Sequence, residues 1–180
     1  MPVQHRVFVS YHHANDQASR DAFEGLFALH YGVFILKSVQ IGEIPPGLDT
    51  DHVRAKIRDE YLRDSTVTVV LIGAQTWQRR HVDWEISSSI RQTKLSSRSG
   101  LLGILLPTHP GYYTEGCDAG IVPPRLVDNQ KCGYAKIYNW STHPAQVAVW
   151  IQAAYDRRST VEPDNSYPHF ANNKFGDRWR

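Results

Sequence analysis

Six consecutive residues, Val67-Thr68-Val69-Val70-Leu71-Ile72, are all β-branched or aliphatic. A strand with one face in water alternates apolar and polar residues; this run does not, so both of its faces must be covered. Strands of that kind lie at the centre of parallel sheets, and parallel neighbours need long crossover connections that are usually helical. The remainder of the chain has to supply strands and helices in alternation.

It does so on both sides of this run. Val7-Phe8-Val9 is a β-rich segment that stops at Ser10-Tyr11-His12-His13, and Asn15 or Asp16 is placed to cap a helix with Ala22, Phe23, Leu26 and Phe27 on one face. Val33-Phe34-Ile35-Leu36 reads as a second strand, and Gly42 through Pro45-Pro46-Gly47 as a loop, because prolines and glycine continue neither regular structure. Asp49 to Asp51 offer caps to a helix with Val53, Ile57 and Tyr61 at i, i+4, i+8. After the central run, residues from Trp77 to Lys94 carry Val82, Ile86 and Ile90 at helical spacing and give way to a strand at Gly100 to Leu106. The stretch from Pro107 to Gly133 is rich in Pro, Gly and Tyr, lacks periodicity and reads as an insertion. Ala135 to Tyr138 is a fifth strand, and Val147, Trp150, Ile151 and Ala154 mark a closing helix.

The expected architecture is α/β and flavodoxin-like: a doubly wound, five-stranded parallel sheet in the order 2-1-3-4-5, formed by residues 1–155 with an insertion at about 107–133. Residues 156–180 form an aromatic tail, with Tyr167, Phe170, Phe175 and Trp179, that reads as an arm over the domain or a partner surface. In such sheets ligands bind outside the carboxyl ends of the strands, which directs attention to the loops after strands one and three.

Composition removes several function classes. The 180 residues suit one domain, and a net charge of +2 lacks the positive field that unspecific nucleic-acid binding needs. Two cysteines, Cys117 and Cys132, build no disulfide scaffold and fit a reducing cytoplasm. There is no apolar leader at Met1 to Val9, and the apolar runs are far shorter than the roughly 20 residues that span a bilayer, so neither membrane nor targeting is expected. None of the twelve glycines falls into G-x-G-x-x-G or a P-loop, and neither G-x-S-x-G nor H-E-x-x-H occurs. The nine histidines lack ligand spacing, so no metal is expected. A response-regulator receiver would carry an acidic pair after strand one and an acceptor Asp closing strand three; here those places hold Ser10-Tyr11 and Ile72-Gly73.

What remains is an order of segments: Val7-Phe8-Val9-Ser10-Tyr11 with His12-His13-Ala14-Asn15-Asp16, the Pro46-Gly47 loop, the central strand, Thr76-Trp77, then His81-Val82-Asp83-Trp84-Glu85-Ile86 and a run ending in Leu105-Leu106-Pro107. Over about residues 5 to 155 this resembles a bacterial TIR domain, and within that branch the TIR proteins of Thoeris antiphage defence. The resemblance implies cleavage of the nicotinamide–ribose bond of NAD, as substrate and not as cofactor, with Glu85 as the catalytic residue. It implies a cyclic ADP-ribose-type product that activates a separate nucleotide-sensing effector, and self-association into a homo-oligomer. Ser10, Tyr11, His12, Gly47, Trp77 and His81 are the expected substrate-binding residues. Taken alone Glu85 is an ordinary surface glutamate, and Trp77 and Trp84 are packing residues; the order of motifs singles Glu85 out.

The chemistry suits that role. Cleavage at an anomeric carbon passes through an oxocarbenium-like transition state that a nearby carboxylate stabilises, and nicotinamide departs neutral, so no general acid has to protonate it. The sequence departs from animal TIR domains in having His81, not tryptophan, four residues before the glutamate. Two other readings compete: a non-catalytic TIR interaction module, and a nucleoside deoxyribosyltransferase-like enzyme.

Overall fold

The computed structural model describes residues 4–27, 32–35, 49–94 and 96–179. Along the chain these form β1 (His5–Ser10), α1 (His13–Phe27), β2 (Val33–Ile35) and α2 (Thr50–Lys56), the last continued by a π-helical turn at Ile57–Leu62. Then follow β3 (Val67–Ile72), α3 (Arg80–Ser89), β4 (Gly100–Leu105), α4 (Pro124–Lys131), β5 (Ala135–Asn139) and α5 (Pro144–Thr160). The five strands pair in the order β2-β1-β3-β4-β5, all parallel, as expected. Val7 lies beside Val67 and Ser10 beside Val70, so β1 and β3 end side by side where the strand order reverses, the place at which such sheets bind ligands.

Every residue of β3 is buried, which is what its unbroken apolar run demanded. Its pleat sends Val67, Val69 and Leu71 to a core shared with α1 and α5, and Val70 and Ile72 to a core shared with α3 and α4. In β1 the same alternation sends Val7 and Val9 to the α1 side, together with Tyr11 just beyond the strand. Phe8 goes to the opposite side, against Val53, Ile57, Leu62 and Trp84. Asp49 caps α2 as expected, accepting from the backbone N–H of Asp51 and His52.

Several boundaries differ from expectation. α1 starts at His13, and Asp16 lies inside it at a kink (φ −117°, ψ 15°). Its carboxyl is buried against Gly73, where a Cβ would come within 2.4 Å of it, instead of standing exposed as a cap. The helix expected over Trp77 to Lys94 is confined to Arg80–Ser89, because Thr76–Gln78 forms a 3-10 turn and Ile90 ends α3. The expected insertion at 107–133 holds α4, the crossover helix from β4 to β5, so the irregular part ends at Pro123. α4 shows no apolar period because it is eight residues long and buries Arg125 and Asn129 beside Leu126 and Val127. The Pro45-Pro46-Gly47 loop and Leu36 lie outside the described residues.

The tail begins after Thr160, since the last turn of α5 is polar and gave no pattern to follow. It is an arm laid over α3 and α4. Fully buried Arg125 donates from Nε to Asp83 Oδ1 at 2.9 Å and from its Nη atoms to the carbonyls of Asn165 and Tyr167 at 3.1 and 2.7 Å. Trp84 Nε1 donates to the Phe170 carbonyl, and Asn173 Oδ1 accepts the Arg80 N–H at the start of α3, replacing a local cap. Phe170 is buried in this arm, whereas Phe175 is exposed. Among the described residues no helix is long and apolar enough to cross a membrane.

Helix α5 approaches β4 so closely that a Cβ on Gly100 would lie 2.2 Å from the Ala154 carbonyl oxygen, while one on Gly25 of α1 would meet nothing within 4 Å. Gly100→Ala is expected to lose about 1–3 kcal/mol in urea unfolding, because backbone obstructs it, and Gly25→Ala to gain about 0.5–1 kcal/mol. Equal effects of the two substitutions would contradict this packing.

Candidate active site

The β1 pleat that turns Phe8 toward α2 and α3 turns Ser10 the same way. Ser10 is fully buried, and its Oγ donates to Glu85 Oε2 at 2.5 Å. Glu85 lies in the middle of α3, a helix whose residues from Val82 to Ser89 are all buried, with Val82 and Ile86 against the sheet and Trp84 under the arm. The carboxyl is 1% exposed. A solvated carboxylate has water on both oxygens; here burial dominates, and it pushes the Glu85 pKa up to about 8 against the smaller downward pull of Ser10. In the resting protein burial thus favours the protonated acid over the carboxylate.

His81 lies one helical turn before Glu85. Its Nε2 is 3.1 Å from the Tyr11 carbonyl oxygen, which only accepts, so that nitrogen carries the proton. Three rings follow in contact: Tyr11 with His13 at 4.4 Å and His13 with His81 at 4.9 Å between centroids. His12 is buried, and among the described residues its Nδ1 has no partner. Burial holds the pKa of His12 and of His13 down to about 4, aided by Arg79 and His81 around the first and by His81, His12 and Arg20 around the second. Burial also lowers that of His81. Asp16, with the Thr76 hydroxyl 3.4 Å from its Oδ2, is pushed up by burial.

The residues expected from sequence divide accordingly. Ser10 and Glu85 are in direct contact, and His12 and His81 lie in one electrostatic cluster. Tyr11 contributes its carbonyl to His81, while its ring is fully buried on the α1 side and its hydroxyl donates to Gln17 at 2.7 Å. Trp77, in the 3-10 turn, is 2% exposed, as closed off as Glu85 itself. Gly47 lies outside the described residues. His13, Asp16 and Arg79 were not expected in the site; the polar string His12 to Asp16 directly after a buried strand was the available signal. Among the described residues no group of three His, Cys, Asp or Glu side chains is arranged to hold a metal ion.

A pH effect on stability follows from Glu85. The unfolded chain ionises it near 4.5 and the folded one near 8, so below the lower value both states hold the proton. Between the two only the folded state does, and the contribution to stability is lost as pH rises through that window. Glu85→Gln removes this term while leaving those of His12 and His13 unchanged. Its stability relative to wild type, from urea unfolding, is expected to rise by a few kcal/mol between about pH 5 and pH 8. A constant difference would show that the acid is not desolvated.

Comparison with known proteins completes this picture. A solved structure of the TIR domains in the activated Roq1 resistosome directly recognising the pathogen effector XopQ is similar, at 12% identity over 86% of this chain and 84% of that one, with a TM-score of 0.37. No curated protein matches the chain. The family model of the Thoeris protein ThsB, TIR-like domain, matches residues 8–110, a span that begins within β1 and runs through Ser10, α3 and Glu85 to beyond the end of β4. It covers more than half of the 180 residues, and the chain belongs to that family of ThsB TIR-like domain proteins.

Proposed function

We propose that the protein is an enzyme of antiphage defence in the cytoplasm that cleaves the nicotinamide–ribose bond of NAD and makes a cyclic ADP-ribose-type signal for a separate effector. The observation that carries this reading is Glu85: a buried acid, its carboxyl joined to Ser10, at the strand ends where doubly wound sheets bind ligands. Buried groups with strongly displaced pKa values concentrate at functional sites, because desolvating a carboxyl has a stability cost that packing alone does not require.

In this mechanism the cationic nicotinamide ring brings positive charge to the desolvated acid. A positive charge within a few ångströms favours the carboxylate, so Glu85 gives up its proton to solvent as substrate seats. The low-dielectric surroundings then strengthen the attraction between Glu85 and the oxocarbenium character that develops at the ribose C1′. The C1′–N bond breaks with its electron pair returning to the pyridine nitrogen, and nicotinamide leaves neutral. A hydroxyl or ring nitrogen of the same molecule forms the new bond to C1′ and gives a cyclic product, or water does so and gives ADP-ribose; a proton released from the nucleophile passes to the Glu85 carboxylate or to solvent. Ser10 donates to one carboxyl oxygen and leaves the other for the ribose.

The non-catalytic interaction module is the alternative to be separated. Glu85→Gln retains the shape of the side chain and removes the charge. In cells challenged with phage, nucleotide mass spectrometry is expected to find a cyclic ADP-ribose species with the wild type and at least ~100-fold less with Glu85→Gln, the scale of losing a main electrostatic stabiliser. Unchanged NAD and no new nucleotide in wild-type cells under challenge would favour the interaction module.

A further inference from the structure

Around His81, one turn from Glu85, the site holds four buried nitrogens that no group among the described residues satisfies: Nδ1 of His12, both ring nitrogens of His13, and Nε of Arg79. A neutral imidazole always has one N–H to give and one lone pair to receive, and leaving such atoms buried without partners costs about 1–3 kcal/mol each. His12 is more than nine-tenths buried, so water does not resolve the deficit from outside. The standing charges that bear on these rings are arginines: Arg79 on His12, Arg20 on His13, and Arg79 and Arg80 on His81. Arg20 is already paired with Asp21 and Glu24, while Glu85 is bonded to Ser10 and, like Asp16, is held toward its neutral form by burial, so Arg79 is the cation beside the rings that these acids leave uncompensated.

Buried ring nitrogens with unused hydrogen-bonding capacity beside the Arg79 cation are completed by an anion. We propose that His12, His13 and Arg79 form the binding site for a diphosphate, the group joining the two halves of a dinucleotide, and that the imidazoles take up protons as it binds. The choice of diphosphate over other anions rests on the reading of Glu85 as an NAD-cleaving residue. In the empty site both rings are neutral, so they add nothing to the positive charge of Arg79 that the cationic nicotinamide ring meets. A doubly charged anion against their free nitrogens reverses the balance and turns neutral acceptors into charge-assisted donors. His13 is placed for this, because its ring contacts Tyr11, whose π face attracts a cation. The nicotinamide end then faces Glu85 and the diphosphate faces the histidines.

The test is calorimetric titration of the purified protein with ADP-ribose, whose diphosphate has no group titrating near neutrality, in two buffers of different ionisation enthalpy, with adenosine as the uncharged control. The expected result is net proton uptake that grows as the pH is lowered toward about 6, and adenosine binding without uptake. The double variant His12→Gln/His13→Gln should bind ADP-ribose at least ~10-fold more weakly and without uptake, while Arg79→Gln should weaken binding and retain uptake. To guard against misfolded variants, the histidine NMR signals of the wild type are followed as well: ADP-ribose should shift the titration of His12 and His13 upward from about 4. Binding with no proton uptake, or no binding of ADP-ribose by the wild type, overturns the proposal. Proton-linked binding in a protein that never consumes NAD would sink the cleavage reading and leave this one standing; NAD turnover without uptake would do the reverse.

Discussion

The contact on which the position of the site depends is the one between Arg125 and Asp83. A guanidinium with no exposure is tolerable only if its donors are used, and Arg125 spends them on Asp83 in α3 and on the Asn165 and Tyr167 carbonyls of the arm. Asp83 in turn accepts the Phe170 N–H. One ion pair thus fastens α3 to α4 and to the chain beyond α5. Asp83 and Glu85 are two residues apart, about 200° around the helix, so the clamp grips the side of α3 remote from Ser10. With Val82 and Ile86 against the sheet and Trp84 bonded to Phe170, α3 has little freedom to rotate or slide, and Glu85 is delivered to the end of β1.

That placement sets the chemistry. A carboxyl buried with a single hydroxyl partner is deficient in hydrogen bonds to its charged form, and it responds by staying neutral. The neighbouring histidines respond to the same desolvation in the opposite sense and also stay neutral. The resting site therefore stores acid and base groups in their uncharged states. A ligand that is positive at one end and negative at the other can charge both, each where it needs the opposite sign.

Much of the fold was legible because parallel strands buried on both faces leave continuous apolar runs, and those runs also fixed which strand is central. Glu85 was legible only through the order of motifs around it, since a single glutamate among arginines on a helix carries no signal of burial. The position of Tyr11 was deducible from the alternation Val7, Val9, Tyr11, which places its ring on the face away from Ser10. α4 was hidden because two of its buried positions are the polar residues Arg125 and Asn129. The arm was hidden because its backbone carbonyls are reached by side chains some 40 to 90 positions away, a pairing that leaves no periodic trace. The nearness of Asp16 and Gly73 is of the same long-range kind.

The most direct measurement of the central claim is the pH dependence of NAD cleavage by the purified protein. If Glu85 must be ionised and burial holds its proton in the free enzyme, kcat/KM rises with pH through a single limb near 8, and kcat rises at a lower pH because the bound cationic ring favours the carboxylate. A limb near the ordinary glutamate value in both parameters, or turnover that survives Glu85→Gln with an unchanged profile, would contradict the account.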